Sequence, residues 1–159
     1  MRPVQTTDEI TFRPATRGDL DAVVALLAHD DLGMTREAVT DELSPAYIEA
    51  FEKIEQDPGN EVIVAEDAEG IAGTMQLTYI SNLTFQGAAR CQIEGVRIAE
   101  RIRIRGLGRE MFLWATERAR VKGCRIVQLT SNKARDGALA FYEKLGYEAS
   151  HIGFKLYLD

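Results

Sequence analysis

Apolar and polar residues alternate along this chain with two periods, and the switch between them lays out its elements. "ITFRP" at 10–14 alternates as a short first strand. Thr16 then reads as a helix N-cap, ahead of Leu20, Val23, Val24 and Leu27 at helical spacing. A second helix is expected within 35–56, around Ser44 and Pro45, and "DPG" at 57–59 stops it. "EVIVAED" and "IAGTMQLTYIS" read as strands joined by a tight turn, and "RCQIEGVRIAE" as a further, longer strand. Leu107, Met111, Ala115 and Ala119 form an i, i+4 stripe, widened by Phe112 and Trp114, which predicts a helix over 106–122. "CRIVQLTS" is a strand, "RDGALAFYEKLGY" a short helix stopped by Gly146, and "YEASHIGFKLYLD" closes the chain with strand-like alternation. The expected order is β-α-α-β-β-β-α-β-α-β-β. This is an α/β (α+β) arrangement around a mixed sheet, and at 159 residues one domain over 1–159 is expected.

Composition narrows the class. Hydrophobic residues make up 45% and charged residues 28%, the balance of an ordinary globular protein. No apolar run approaches the roughly 20 residues of a membrane helix, and the first residues hold no apolar signal core, so no membrane association and a cytoplasmic location are expected. Cys91 and Cys124 stand singly in apolar runs, and His29 and His151 are the only histidines, so no metal site is expected. Both cysteines read as small core residues.

Charge is uneven within a net of -6. Thirteen acidic residues fall in 28–70 against Arg36 and Lys53, while nine Lys/Arg fall in 97–125 against three glutamates. The acidic total argues against a nucleic-acid surface. A local basic patch in such a protein suits a small polyanion, and the acidic stretch could draw a cationic amine or polyamine. Residue by residue, a solvated helix face is the better account of either cluster.

The basic patch contains a glycine turn between a strand and a helix, a general phosphate-binding device because bare helix N–H groups point at the anion. The spacing excludes two versions of it. GxxxxGK[ST] is absent, and Met111 and Gln128 stand where a dinucleotide fingerprint needs a small residue and an acid. What remains is R-x-x-G-x-G: Arg103, Ile104, Arg105, Gly106, Leu107, Gly108.

With that motif after a strand, at the head of an amphipathic helix, and followed by "RIVQLTS" and "ALAFYEKLGY", the sequence resembles the GNAT superfamily of acyl-CoA-dependent N-acetyltransferases. Within it, "QLTSNKARDGALAFYEKLGY" is most similar to enzymes acetylating small amines, including aminoalkylphosphonate acetyltransferases. The resemblance implies a mostly antiparallel sheet and acetyl-CoA as co-substrate. It places the pyrophosphate on Arg103, Ile104, Arg105, Gly106, Leu107, Gly108 and Arg109, and the pantetheine arm along the backbone of Val96, Arg97 and Ile98. Arg101 is a further phosphate partner on this reading. The family's usual asparagine before the helix tyrosine is replaced by Arg135, with Asn132 nearby as a substitute.

The reaction so implied is attack of a small molecule's primary amine on a thioester, which needs a proton acceptor and a donor to the departing sulfur. Tyr142, in "AFYEKLGY", takes the acid role by resemblance; alternatively it is a core tyrosine, since Ala138, Tyr142 and Leu145 share a helical face. Glu94, the one acid in "CQIEGVRI", is the candidate base; alternation could equally turn it outward to solvent or to Arg97. Tyr79 and Ser131 could also line the cleft, and His151 reads as structural. The rival functions are a non-catalytic acyl-CoA sensor, a plain interaction domain, and a peptide or protein acetyltransferase. A homodimer through exposed end strands is a further expectation.

Overall fold

A computed structural model describes residues 9–159 and divides the chain into two compact units, one running to Gln128 and one over Leu129–Asp159. In the first, β1 (Thr11–Pro14) leads through a 3₁₀ turn into helix α1 (Leu20–Ala28), and α2 (Pro45–Gln56) follows. Thr16 stands at the N-cap of that turn, as expected, and its N–H donates to the Asp19 carboxylate at 2.7 Å. Next come β2 (Asn60–Asp67), β3 (Gly70–Ile80), β4 (Arg90–Ile98), helix α3 (Leu107–Val121) and β5 (Ile126–Leu129). Helix α4 (Ala138–Lys144) belongs to the second unit.

The strands lie in sequence order, and β1 to β4 pair antiparallel. At the β4–β5 edge the Arg125 N–H donates to the Ala89 carbonyl at 2.9 Å, and Gln128 Nε2 donates to Gln92 Oε1 at 2.7 Å. Both contacts join residues 36 apart, so β5 runs parallel to β4.

The two sheet faces have different cover. On one, Val64 packs with Leu20 and Val23 of α1 and Phe51 of α2. On the other, α3 lays down its predicted stripe: Leu107, Met111, Ala115 and Ala119 are all buried, with Phe112 beside them. Burying side chains of Leu or Met size stabilises by about 1.5–3 kcal/mol each. The opposite face of α3 carries Arg109, Glu110 and Glu117 in solvent.

The mixed α/β fold with a mostly antiparallel sheet is as expected, but its end differs. Leaving aside the 3₁₀ turns and the one-turn helices Asp31–Met34 and Thr84–Gly87, the observed order is β-α-α-β-β-β-α-β-α, and no strand forms after α4 among the described residues. Residues 148–159 are exposed throughout, with Ile152, Phe154, Leu156 and Leu158 in solvent. Alternation gives a segment two faces, but a strand also needs an edge to bond, and this segment forms no ladder here.

Candidate active site

Strand β4 changes register halfway along. Gln76 of β3 stands opposite Glu94, but Thr74, two residues back, stands opposite Arg97, so β4 carries one extra residue. That is a β-bulge, and Gly95 at φ 61° supplies the left-handed backbone it needs. The parallel partner also stops here. At its 36-residue offset, the end of β5 at Leu129 reaches β4 no farther than Ile93. Among the described residues no strand continues the ladder beside Val96, Arg97 and Ile98 on that edge. The Arg97 side chain is committed elsewhere: Nε lies 3.4 Å from the Asp30 carboxylate, and Nη1 donates to the Val96 carbonyl at 2.8 Å. Glu94 is exposed, the outward placement toward solvent that alternation offered.

After β4 the chain makes a 3₁₀ turn over Glu100–Arg105. Ile102 is buried and ties the turn down, as does Leu107 at the start of α3. Arg101 corrects a sequence expectation. Its Nη1 and Nη2 donate to the two Asp67 carboxylate oxygens at 2.6 and 2.9 Å, with Glu69 3.6 Å away. The Arg101 guanidinium beside it holds the buried Asp67 carboxyl below its ordinary range. Arg101 fastens the turn to the β2–β3 hairpin and is not set aside for phosphate.

Gly106, at φ 76°, turns the chain into α3 and is its N-cap. With no side chain capping it, the first-turn N–H groups of Leu107, Gly108 and Arg109 are left at the positive end of a 15-residue helix. Arg103 and Arg109 flank this turn and are exposed. The side chains of Ile104 and Arg105 lie outside the described residues.

On the α1–α2 face the sheet turns from apolar to polar. Strand pairing places Asn60, Gln76, Thr78, Gln92 and Glu94 side by side on that face. Thr78 Oγ1 and Gln76 Nε2 donate to Asn60 Oδ1 at 2.8 and 3.3 Å. Arg90, on the same face, donates through Nη1 to Gln128 Oε1 at 3.3 Å. Of this row, the sequence pointed to Glu94. The alternating polar residues of β3 and β4 carried the signal, but their pairing register was needed to see it.

Tyr79 falls on the other face, so it does not join this row. Its hydroxyl donates to Glu61 Oε2 at 2.7 Å, and Arg118 Nε donates to the same oxygen at 3.0 Å. Burial and the Glu61 charge raise its phenol above the ordinary range. Cys91 and Cys124 are buried and unbonded to each other, as read, and burial pushes the Cys91 thiol up to about 12.

The acetyltransferase (GNAT) family's sequence profile matches residues 26–147. The chain belongs to that family. It is thus an acyl-CoA-dependent N-acetyltransferase. The aminoalkylphosphonate N-acetyltransferase of Salmonella typhimurium is 27% identical over 147 residues, covering 90% of this chain and 88% of that protein. Among solved structures, a protein from Bacillus halodurans described as a transcriptional regulator is 45% identical, with a TM-score of 0.91 over 94% of this chain and 100% of that one. An acetyltransferase of Trypanosoma brucei is 28% identical, with a TM-score of 0.75 over 94% and 100%.

The chemistry of the first unit fits this GNAT chain's co-substrate. A strand edge without a continuing partner offers amide-bonding groups of the kind a pantetheine arm carries, and an uncapped helix N-terminus offers donors to a pyrophosphate. In the second unit Gly137, at φ 73°, caps α4, again without a side-chain bond. Tyr142 is half-buried, and its ring meets Phe141 and Tyr147 edge-on at 5.4 and 6.1 Å between centroids. Asn132 Oδ1 accepts from the Ala134 N–H at 2.9 Å, and its carbonyl from the Arg135 N–H at 3.0 Å, which shapes the turn before α4. Ser131 and His151 are exposed, and His151 Nδ1 lies 2.7 Å from Ser150 Oγ.

Among the described residues no group of three or more His, Cys, Asp or Glu could hold a metal ion, and no helix is long and apolar enough to cross a membrane.

Proposed function

We propose that this GNAT protein transfers the acetyl group of acetyl-CoA to a primary amine of a small molecule, as one catalytic domain. The observation that carries the reading is the bulged β4 with no continuing partner beside residues 96–98, leading into the uncapped N-terminus of α3. The pantetheine arm bonds the backbone of Val96, Arg97 and Ile98. The pyrophosphate takes the N–H groups of Gly106, Leu107, Gly108 and Arg109, with Arg103 and Arg105 supplying charge and Asn132 and Arg135 supporting from the turn before α4.

Acetyl-CoA supplies an activated acyl carbon. The amine nitrogen forms a bond to that carbon, and the carbon–sulfur bond breaks. Glu94, exposed on the polar sheet face, takes the proton the nitrogen loses, directly or through water. Tyr142 gives its phenolic proton to the departing thiolate. A small, polar acceptor is supported by the row of amides and hydroxyls beside Glu94 and by the likeness to an enzyme named for aminoalkylphosphonates. The protein acts in the cytoplasm, and the exposed apolar residues between Ile152 and Leu158 support pairing with a second copy.

A non-catalytic acyl-CoA sensor is the second reading, favoured by the description of the Bacillus halodurans relative as a regulator. Amine-dependent release of CoA thiol decides between them. Turnover of any small amine that falls with Tyr142→Phe and Glu94→Gln supports the enzyme; stoichiometric acetyl-CoA binding without turnover of any amine or peptide supports the sensor.

A further inference from the structure

We infer that Arg90 binds an anionic group of the acceptor, so that the preferred substrates are small amines carrying a carboxylate or phosphonate. This rests on the acetyltransferase reading above and names the substrate class of that site.

Arg90 is half-buried, and the partners that bond its guanidinium among the described residues are neutral. Nη1 donates to Gln128 Oε1 at 3.3 Å and Nη2 to Thr84 Oγ1 at 2.9 Å, while the Phe85 ring centroid lies 5.9 Å from its central carbon. Its Nε is buried with no hydrogen-bond partner among the described residues. Other part-buried arginines, on the sheet and on α3, are paired with carboxylates. Arg13 faces Asp19 and Glu66, Arg97 faces Asp30, and Arg118 faces Glu61. A half-buried cation held by an amide and a hydroxyl, with no carboxylate paired to it among the described residues, is electrostatically incomplete, and an anion from outside completes it.

Its position says which anion. Arg90, Gln92 and Glu94 share one face of β4, with Glu94 four residues along, about 13 Å away at Cα. The row between them, Gln92, Thr78 and Gln76, is uncharged. One end therefore suits an ammonium and the other an acid, the two ends of a zwitterion with a few bonds between them. The segment holding Arg90 is also shaped for a purpose beyond connection: Phe85 at φ 53° and Gln86 at φ 59° are left-handed without being glycine, and Phe85 stays exposed. The acidic stretch that suggested a polyamine is in part committed inside the fold. Asp30 accepts from the Gly33 N–H at 2.6 Å and pairs with Arg97, Glu37 accepts from the Tyr47 hydroxyl, and Glu52 lies 3.6 Å from Arg17.

The test compares four matched acceptors: propylamine, 3-aminopropionate, 3-aminopropylphosphonate and 1,3-diaminopropane. Wild type is expected to favour the two anionic compounds over propylamine in kcat/KM by about 10- to 100-fold, the worth of a hydrogen bond to a charged group. Arg90→Gln, close in shape, is expected to erase that preference through KM and leave stabilisation by acetyl-CoA unchanged. Arg90→Lys restores part of it. Calorimetric titration of the same compounds reads the preference if turnover is slow. Equal handling of propylamine and the anionic amines, or preference for the diamine, overturns the inference. Absence of any stabilisation by acetyl-CoA overturns instead the reading on which it rests.

Discussion

Removing the Arg101 guanidinium separates its two possible roles. The Asp67 side chain is only 2% exposed and receives two hydrogen bonds from Arg101, so Arg101→Leu leaves a buried carboxylate without its counter-charge. Breaking such a pair typically costs about 3–5 kcal/mol. Here Asp67 keeps the Glu69 N–H at 2.9 Å, and Arg101 is one-third exposed, so the expected loss is nearer the low end, about 2–3 kcal/mol. Urea unfolding at pH 7 measures it. The sign of its pH dependence follows from the lowered Asp67 pKa. A carboxyl held below its unfolded value of about 3.9 stabilises fully above that pH and loses the contribution as pH falls through the folded value. The gap between wild type and variant should accordingly be full at neutral pH and shrink below about pH 4. Adding Asp67→Asn should recover most of the loss, because no buried charge then remains. A loss under about 0.5 kcal/mol, as for a solvated surface pair, or a large drop in acetyl-CoA affinity at unchanged stability, would refute this and return Arg101 to the phosphate site.

Three other changes probe different parts of the account. Gly106→Ala forces a side chain onto φ 76° and should cost about 1–2 kcal/mol in thermal unfolding, with weaker acetyl-CoA binding measured alongside; unchanged stability contradicts the turn as drawn. Glu94→Gln should lower kcat by about 10²–10⁴-fold, with the melting temperature unmoved because Glu94 is exposed. Cys91, its thiol pushed up to about 12, should resist a thiol reagent at pH 8 until urea unfolds the chain; rapid labelling of the native protein would place it at the surface.

Where a feature depends on neighbours along the chain, it was legible in the sequence. The α3 stripe, the paired strands β2 and β3, and the glycine turn at Gly106 all follow from local spacing. What depends on a distant partner was not. Arg101 and Arg103 look alike in a row of basic residues, and only Asp67, 34 residues earlier, separates the anchor from the exposed cation. Alternation sets Tyr79 and Gln76 on opposite faces of β3, but which helix covers each face is decided by packing far along the chain. The closing segment has the right alternation at Ile152, Phe154, Leu156 and Leu158, but a ladder is a property of two strands, and one sequence pattern shows only half of it.

The most direct measurement is thermal unfolding with and without acetyl-CoA, with CoA, NAD and ATP as comparisons. Ligand at 100 times its dissociation constant adds about 2.7 kcal/mol. For a chain of this size that raises the midpoint by about 5–11 °C. The account predicts such a rise with acetyl-CoA and CoA and none with NAD; no rise at saturating acetyl-CoA would contradict the assignment of β4 and the start of α3 as its binding site.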